Sequence, residues 1–456
     1  MEPGLLLVVP ARADARRDSQ GARYSSSMKD EGTTMIGSPE TGRTPELSGL
    51  PPTTSYRSIA RSFLLRLCVA VTLAFVFIAG LELFTYWRGV ENQHSMGPEV
   101  EAAVVQGTPE EREYWKEQQP AQKVQYEPYV LWRRAPFNGS AISIDADGIR
   151  RTLHNHCEAK TFTVWMFGDS VMWGWGSPDS ETIPSLVAAD YEKAGKRVCI
   201  VNYGEKGWAN TQELFELIQE LKHAERKPDA VLFYDGGTEA FTAYENKKVD
   251  VHSNYLDFKN YLEGWITEKK SGFSYLSQSN TYRFLENIAA RVSPKQKTSN
   301  AVSETEAQTW SRAIMRNYQE NMDIIDLLAK QYGFRPIFAW YPNMAVGHKQ
   351  LTPEEAVLDR RLNKKFPGME SVYRAAYEEC REVRRPDLYY LGDLLDNTNA
   401  TLYRGIAHLN AAGNQIAADR IFQILESPPD SAMTKNSSAK TNSAPLSASK
   451  TDPGAP

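Results

Sequence analysis

Five short apolar runs, separated by longer stretches with helical spacing, constrain this chain more than any other feature. The runs cover residues 162–167, 197–202, 230–234, 336–341 and 388–391. Apolar residues recur every three or four positions over residues 183–194, 211–224, 305–331, 369–381 and 411–425. Strands that are apolar without alternation are buried on both faces, and their interleaving with helices predicts a parallel sheet covered on both sides. The expected fold class is α/β: a three-layer α/β/α sandwich around a five-stranded parallel sheet. Ligands in such sheets bind beyond the carboxyl ends of the strands.

A second segment sets the topology. No charge interrupts the chain from Leu67 to Leu81, and apolar character resumes after Glu82. From Leu67 to Trp87 the segment is long enough to cross a hydrocarbon core at about 1.5 Å per residue. Tyr86 and Trp87 resemble an interfacial aromatic belt. Arg57, Arg61 and Arg66 precede the span and only Arg88 follows closely. This charge bias places the N-terminus in the cytoplasm and the rest of the chain outside it. No small-x-small cleavage site follows, as a signal peptide would require, and no polar face is present, as a core helix would show. A single-pass anchor over 61–87, with the lipid bilayer as partner and the rest of the chain extracytoplasmic, is the expectation.

The remaining organisation follows from composition. Residues 1–60 mix Ser, Thr, Pro, Gly and charge without periodicity and read as a disordered cytoplasmic tail, with Met28 as an alternative start. Residues 88–125 form a polar spacer, partly helical over 110–119. Residues 126–426 form the folded domain, 241–300 an insertion with short helices, and 427–456 a disordered tail rich in Ser, Pro, Ala and Thr. Residues 126–134 and 142–149 suggest two short strands, with turns at Asn138-Gly139 and Asp147-Gly148. The net charge of −5 gives no support to nucleic-acid binding.

Of the four cysteines, Cys68 lies in the span, leaving Cys157, Cys199 and Cys380. An odd number cannot all pair within one chain. A Cys157–Cys199 disulfide and three unpaired thiols are both compatible with the sequence. No Cys/His spacing suggests zinc. Asn138, Asn399 and Asn436 begin glycosylation sequons, which have meaning only in a eukaryotic lumen.

The first run ends in Gly168-Asp169-Ser170, a strand that stops at a small residue and then presents a serine. The second leads into Tyr203-Gly-Glu-Lys-Gly-Trp208, where a glycine lets a backbone N–H approach a substrate oxygen. The third ends in Tyr234-Asp-Gly-Gly-Thr-Glu239, and the last is followed by His408-Leu-Asn-Ala-Ala-Gly-Asn414. Topology thus brings a nucleophile, oxyanion donors and a base to one sheet edge. Asp169 anchors the turn, and an exposed loop is the plain expectation for Lys206 and Trp208.

This ordered set resembles the SGNH (GDSL-type) hydrolase family over roughly residues 126–425, and the leading phrase is similar to its membrane-associated bacterial branch. The resemblance implies a flavodoxin-like fold, Ser170 as nucleophile and His408 as base. It implies an oxyanion hole from the Ser170 and Gly207 N–H groups, with Gly204 as the alternative glycine. It implies no metal or organic cofactor. Two positions depart from the pattern. Thr238 stands where the family has an asparagine whose amide donates to the oxyanion. Gly405 stands where an acid would orient the histidine, so Asp393, Asp396 or a backbone carbonyl are the candidates for that task.

The implied activity is ester hydrolysis on an acylated small molecule or polysaccharide. Acyl transfer to a cell-envelope polysaccharide is the second enzymatic reading. A non-catalytic glycan-binding or scaffold module is the third, favoured by Thr238 and Gly405.

Overall fold

The computed structural model describes residues 56–94, 108–267, 282 and 302–427. The expectations for the two tails, for most of the spacer between 95 and 107, and for 268–301 apart from Tyr282 lie outside the described residues. The chain divides into two compact units, Met1–Phe75 and Val76–Pro456.

Helix α1, Tyr56–His94, contains the apolar stretch Ala60–Tyr86, which is long and apolar enough to cross a membrane. Its two threonine hydroxyls are satisfied within the helix. Thr72 Oγ1 donates to the Cys68 carbonyl at 2.9 Å and Thr85 Oγ1 to the Leu81 carbonyl at 2.9 Å, the local way of satisfying a hydroxyl on an apolar helix surface.

Ahead of the main sheet come α2, Pro109–Glu117, and four short strands: β1, Val124–Glu127; β2, Leu131–Arg134; β3, Phe137–Asn138; β4, Ser143–Ile144. A Thr108 capping box starts α2. Two expectations are corrected here. Residues 126–134 are not one strand but most of the antiparallel hairpin β1–β2, which turns through Pro128 and Tyr129, the latter at φ 70°. Residues 142–149 contribute only β4, because Gly148 at φ 79° reverses the chain and brings Arg150 back to bridge Ile144 and Asn202.

The main sheet contains β5, Phe162–Gly168; β6, Val198–Asn202; β7, Ala230–Asp235; β8, Arg335–Trp340; and β9, Leu388–Tyr390. All neighbours are parallel, in the order β6-β5-β7-β8-β9. Renumbered from one, this is 2-1-3-4-5, the flavodoxin-like order. The switch point falls between β5 and β7, so the turns after Gly168 and Asp235 open on one crevice.

The connecting helices are α3, Ser170–Trp173; α4, Ile183–Lys193; α5, Asn210–His223; α6, Gly237–Asn246; α7, Tyr255–Thr267; α8, Glu304–Tyr332; α9, Pro353–Lys365; α10, Met369–Glu382; and α11, Ala411–Glu426. Alternate strand residues serve opposite layers. Trp165, Phe167, Val231, Phe233 and Phe338 pack with α5, α8 and α10. Val164, Met166, Leu232, Ile337 and Ala339 pack with α4 and α11. Phe167, Phe233 and Phe338 stack across adjacent strands with centroids 5.2 and 5.4 Å apart.

Cys157 and Cys199 are joined by a disulfide, while Cys380 is a free, buried thiol. The bond ties the segment before β5 to the edge strand β6.

Candidate active site

Gly168 ends β5 at φ 153°, and a Cβ there would lie 2.7 Å from the Tyr234 carbonyl and 2.8 Å from Met172 Cβ. Only glycine fits a backbone turned this way between β7 and the next helix. Asp169 caps that helix by accepting the Val171 N–H at 2.8 Å. Ser170 follows as its first residue.

His408 reaches the same point from the opposite end of the chain. Its loop is a tight reversal: the Arg404 N–H donates to the His408 carbonyl at 2.8 Å, and the Asn410 N–H to the Leu402 carbonyl at 2.8 Å. Asn410 then caps α11 by accepting the Gly413 N–H at 3.0 Å. The result brings Ser170 Oγ and His408 Nε2 to 2.8 Å. The imidazole is half-buried, tilted against Trp175 with ring centroids 4.6 Å apart. Burial and the nearby Lys206 ammonium push it down to about 3, so His408 is neutral and able to accept a proton.

The loop after β6 is pinned to the serine turn by the Glu205 N–H, which donates to the Gly168 carbonyl at 3.0 Å. Its two glycines differ. The Gly204 N–H donates to Asn202 Oδ1 at 3.0 Å and is therefore committed. Gly207, at φ 79°, has no acceptor for its N–H among the described residues, and neither has Ser170. Gly207 stands on the Ser253 and Trp132 side of the loop, its carbonyl accepting Ser253 Oγ at 2.7 Å. Trp208 is not on an exposed loop: it is buried under the Arg133 guanidinium, 4.7 Å from its ring.

Thr238 is placed differently from a direct oxyanion donor. Its hydroxyl donates to Asp169 Oδ2, as does the Tyr341 hydroxyl. A threonine has one hydroxyl proton, so that proton serves the carboxylate under the serine turn. Tyr341 also accepts the Gly237 N–H at 2.9 Å, linking β8 to the start of α6. Burial raises the Asp169 carboxyl, against the lowering effect of these hydrogen bonds.

Neither upstream acid reaches His408. Asp396 Oδ1 accepts the His348 N–H at 2.7 Å, and its other oxygen lies 3.5 Å from His348 Nδ1. Asp393 is exposed, on the side of Arg381 and Tyr390. No backbone carbonyl bonds Nδ1 among the described residues. Among the described residues no acid bonds the His408 imidazole.

Several residues that shape the site carry no local signature in the chain. Arg150 is fully buried and clamps the loop after Ser170. It donates to the Trp173, Gly174 and Ser177 carbonyls at 3.0, 2.7 and 2.6 Å and pairs with Asp179 at 2.9 Å. Below the turn lies a buried acidic group. Glu239 accepts the Asn210 and Gly236 N–H groups, both at 2.9 Å. Asp235 accepts Asn210 Nδ2 at 2.9 Å and Tyr318 Oη at 2.8 Å. Glu213 is buried beside Asp235, and burial with the neighbouring negative charge raises both carboxyls well above their ordinary range. Among the described residues no group of three or more His, Cys, Asp or Glu is arranged to hold a metal ion.

A cavity of about 370 Å³ beside α5 is lined by Tyr129, Gln212, Phe215, Glu239, His252 and Tyr255 among others. Another, of about 520 Å³, lies between β4 and β6. Neither lining includes Ser170 or His408.

No protein-family model and no curated protein matches the chain. Solved structures do. A member of the lipolytic protein G-D-S-L family from Veillonella parvula is 11% identical, covering 58% of this chain and 99% of its own, with a TM-score of 0.32. A putative lipolytic protein of that family from Desulfitobacterium hafniense is 11% identical, covering 58% and 99%, at 0.30. The lipase/acylhydrolase from Enterococcus faecalis is 14% identical, covering 58% and 94%, at 0.29. The chain is similar to G-D-S-L lipolytic proteins of known structure. The chemistry of the site rests on its own residues.

Proposed function

We propose that this chain is a membrane-anchored, extracytoplasmic serine esterase acting on an acylated small molecule or polysaccharide. The observation that carries the reading is the 2.8 Å contact between Ser170 Oγ and His408 Nε2, the geometry of a nucleophile and its general base. His408 takes the Ser170 proton as Oγ bonds to the acyl carbon. The Ser170 and Gly207 N–H groups stabilise the oxyanion. The imidazolium then returns its proton to the departing alcohol, and water releases the acyl group by the same steps.

The anchor supports the location: Ala60–Tyr86 is apolar enough to span, and the arginines cluster before it. The Cys157–Cys199 disulfide supports it independently, since such bonds persist in oxidising compartments.

The test is turnover of 4-nitrophenyl acetate by the full chain in detergent. Ser170→Ala should lose about 10³-fold or more while melting like the wild type. Activity retained in that variant would remove Ser170 from the mechanism.

A further inference from the structure

Among the described residues, the Lys206 ammonium acts on His408 and has no ion pair of its own. The loop carrying Lys206 is seated on the helix carrying Ser170, so closely that a Cβ on Gly204 would lie 2.5 Å from the Trp173 N. Lys206 Nζ is 6.0 Å from the centre of the Trp173 ring. Arg134 and Arg150 share that ring, their guanidinium carbons at 5.8 and 4.4 Å.

The two arginines are paired, with Glu205 at 2.9 Å and Asp179 at 2.9 Å. Glu205 is fully buried and also accepts the Arg134 and Lys206 N–H groups. The Lys206 ammonium itself has no carboxylate or hydrogen-bond acceptor among the described residues. His408 is in the same position: Gly405 occupies the side of its Nδ1, and no acid reaches it.

The reaction therefore asks His408 to become an imidazolium near the Lys206 ammonium, whose neighbouring carboxylate, Glu205, is already engaged by Arg134. We propose that the substrate supplies the missing charge: a carboxylate or phosphate close to its ester pairs with Lys206 and relieves the repulsion on the His408 imidazolium. This rests on the esterase reading above and names the substrate class of that site, an anionic ester. Lys206 is then the specificity-determining residue, and its contribution falls on kcat, because the relieved repulsion exists only once the proton has moved. Burial and the flanking arginines push Lys206 down to about 7 in the free protein. A bound anion reverses that direction and favours the charged form of both groups.

The test compares three aryl esters on the full chain at pH 6, with spontaneous hydrolysis subtracted. They are 4-nitrophenyl hexanoate, the 4-nitrophenyl half-ester of adipic acid, and 3-carboxy-4-nitrophenyl hexanoate. The second carries its anion on the acyl side and the third on the alcohol side, so the arms show where the charge belongs. At least one anionic ester should exceed the neutral one about tenfold in kcat. Lys206→Met should bring the ratio to within about twofold and speed the neutral ester, while Lys206→Arg keeps the preference. Equal kcat for all three esters, a preference confined to KM, or one that survives in Lys206→Met overturns the proposal. No turnover of any ester, together with no labelling by a fluorophosphonate, defeats the esterase reading itself and this inference with it.

Discussion

A Cβ at position 405 would lie 2.8 Å from His408 Nδ1, so Gly405 and the imidazole are in direct packing contact. The position that would hold an acid by resemblance has room for no side chain unless the ring moves. Gly405→Ala should therefore displace His408 from Ser170, and a misplacement of about 1 Å can cost about 100-fold in rate. We expect kcat to fall at least about tenfold with little change in melting temperature. Unchanged kcat would mean that the ring does not rest on this glycine.

The commitment of Thr238 to Asp169 separates two roles by measurement. An oxyanion donor loses about 10²–10³-fold in kcat on removal. A donor to a buried carboxylate instead leaves that group short of a partner, at about 1–3 kcal/mol of stability. Thr238→Val is expected to lower stability by that amount in chemical denaturation and kcat by less than about tenfold. A 100-fold kcat loss at full stability would restore the oxyanion role.

Glu213 and Asp235 make stability fall with rising pH. Neither Glu213 oxygen nor Asp235 Oδ1 has a donor among the described residues; burial raises both carboxyls, the charge of Asp235 adding to it for Glu213 and that of Glu239 for Asp235. For acids raised in the folded state, stability is full below the unfolded pKa, about 4, and is lost as pH climbs towards the folded value. Glu239, pushed up to about 7, adds a loss between about 4.5 and 7. Wild type should unfold more readily in urea at pH 8 than at pH 5. In Glu213→Gln the amide gives Asp235 a donor and removes one acid, so the difference should shrink. Parallel behaviour of the two proteins would contradict the arrangement.

The disulfide closes a separation of 42 residues, for which loop-closure entropy predicts about 4 kcal/mol of stabilisation. Cys199→Ser, or reduction of the wild type, should lower the melting temperature clearly. Indifference to reductant would argue that the bond does not form.

The layers of the fold were legible because the sheet strands are apolar apart from Thr163 and a few end residues, and each begins and ends within a residue or two of its run. Helices with an apolar stripe, such as α8 and α10, were equally plain. Helix α9 was not, because it buries only Glu355 and Leu358. Its start signal was present in Thr352-Pro353-Glu354-Glu355, a capping box with proline at the first position. The Ser170 turn and the His408 loop could be placed because each directly adjoins a recognisable strand or helix. What surrounds them could not. The Arg150 clamp, the Tyr341 hydroxyl and the Glu213–Asp235 pair join segments 22 to 172 residues apart, and only packing decides such partners.

The proposed mechanism requires Ser170 to be an activated nucleophile although no acid bonds His408 among the described residues. Incubating the full chain with a fluorophosphonate and mapping the adduct by mass spectrometry tests this directly. One adduct is expected, on Ser170, absent from Ser170→Ala and strongly slowed in His408→Ala. An unlabelled wild type, or an adduct that persists in Ser170→Ala, would contradict it.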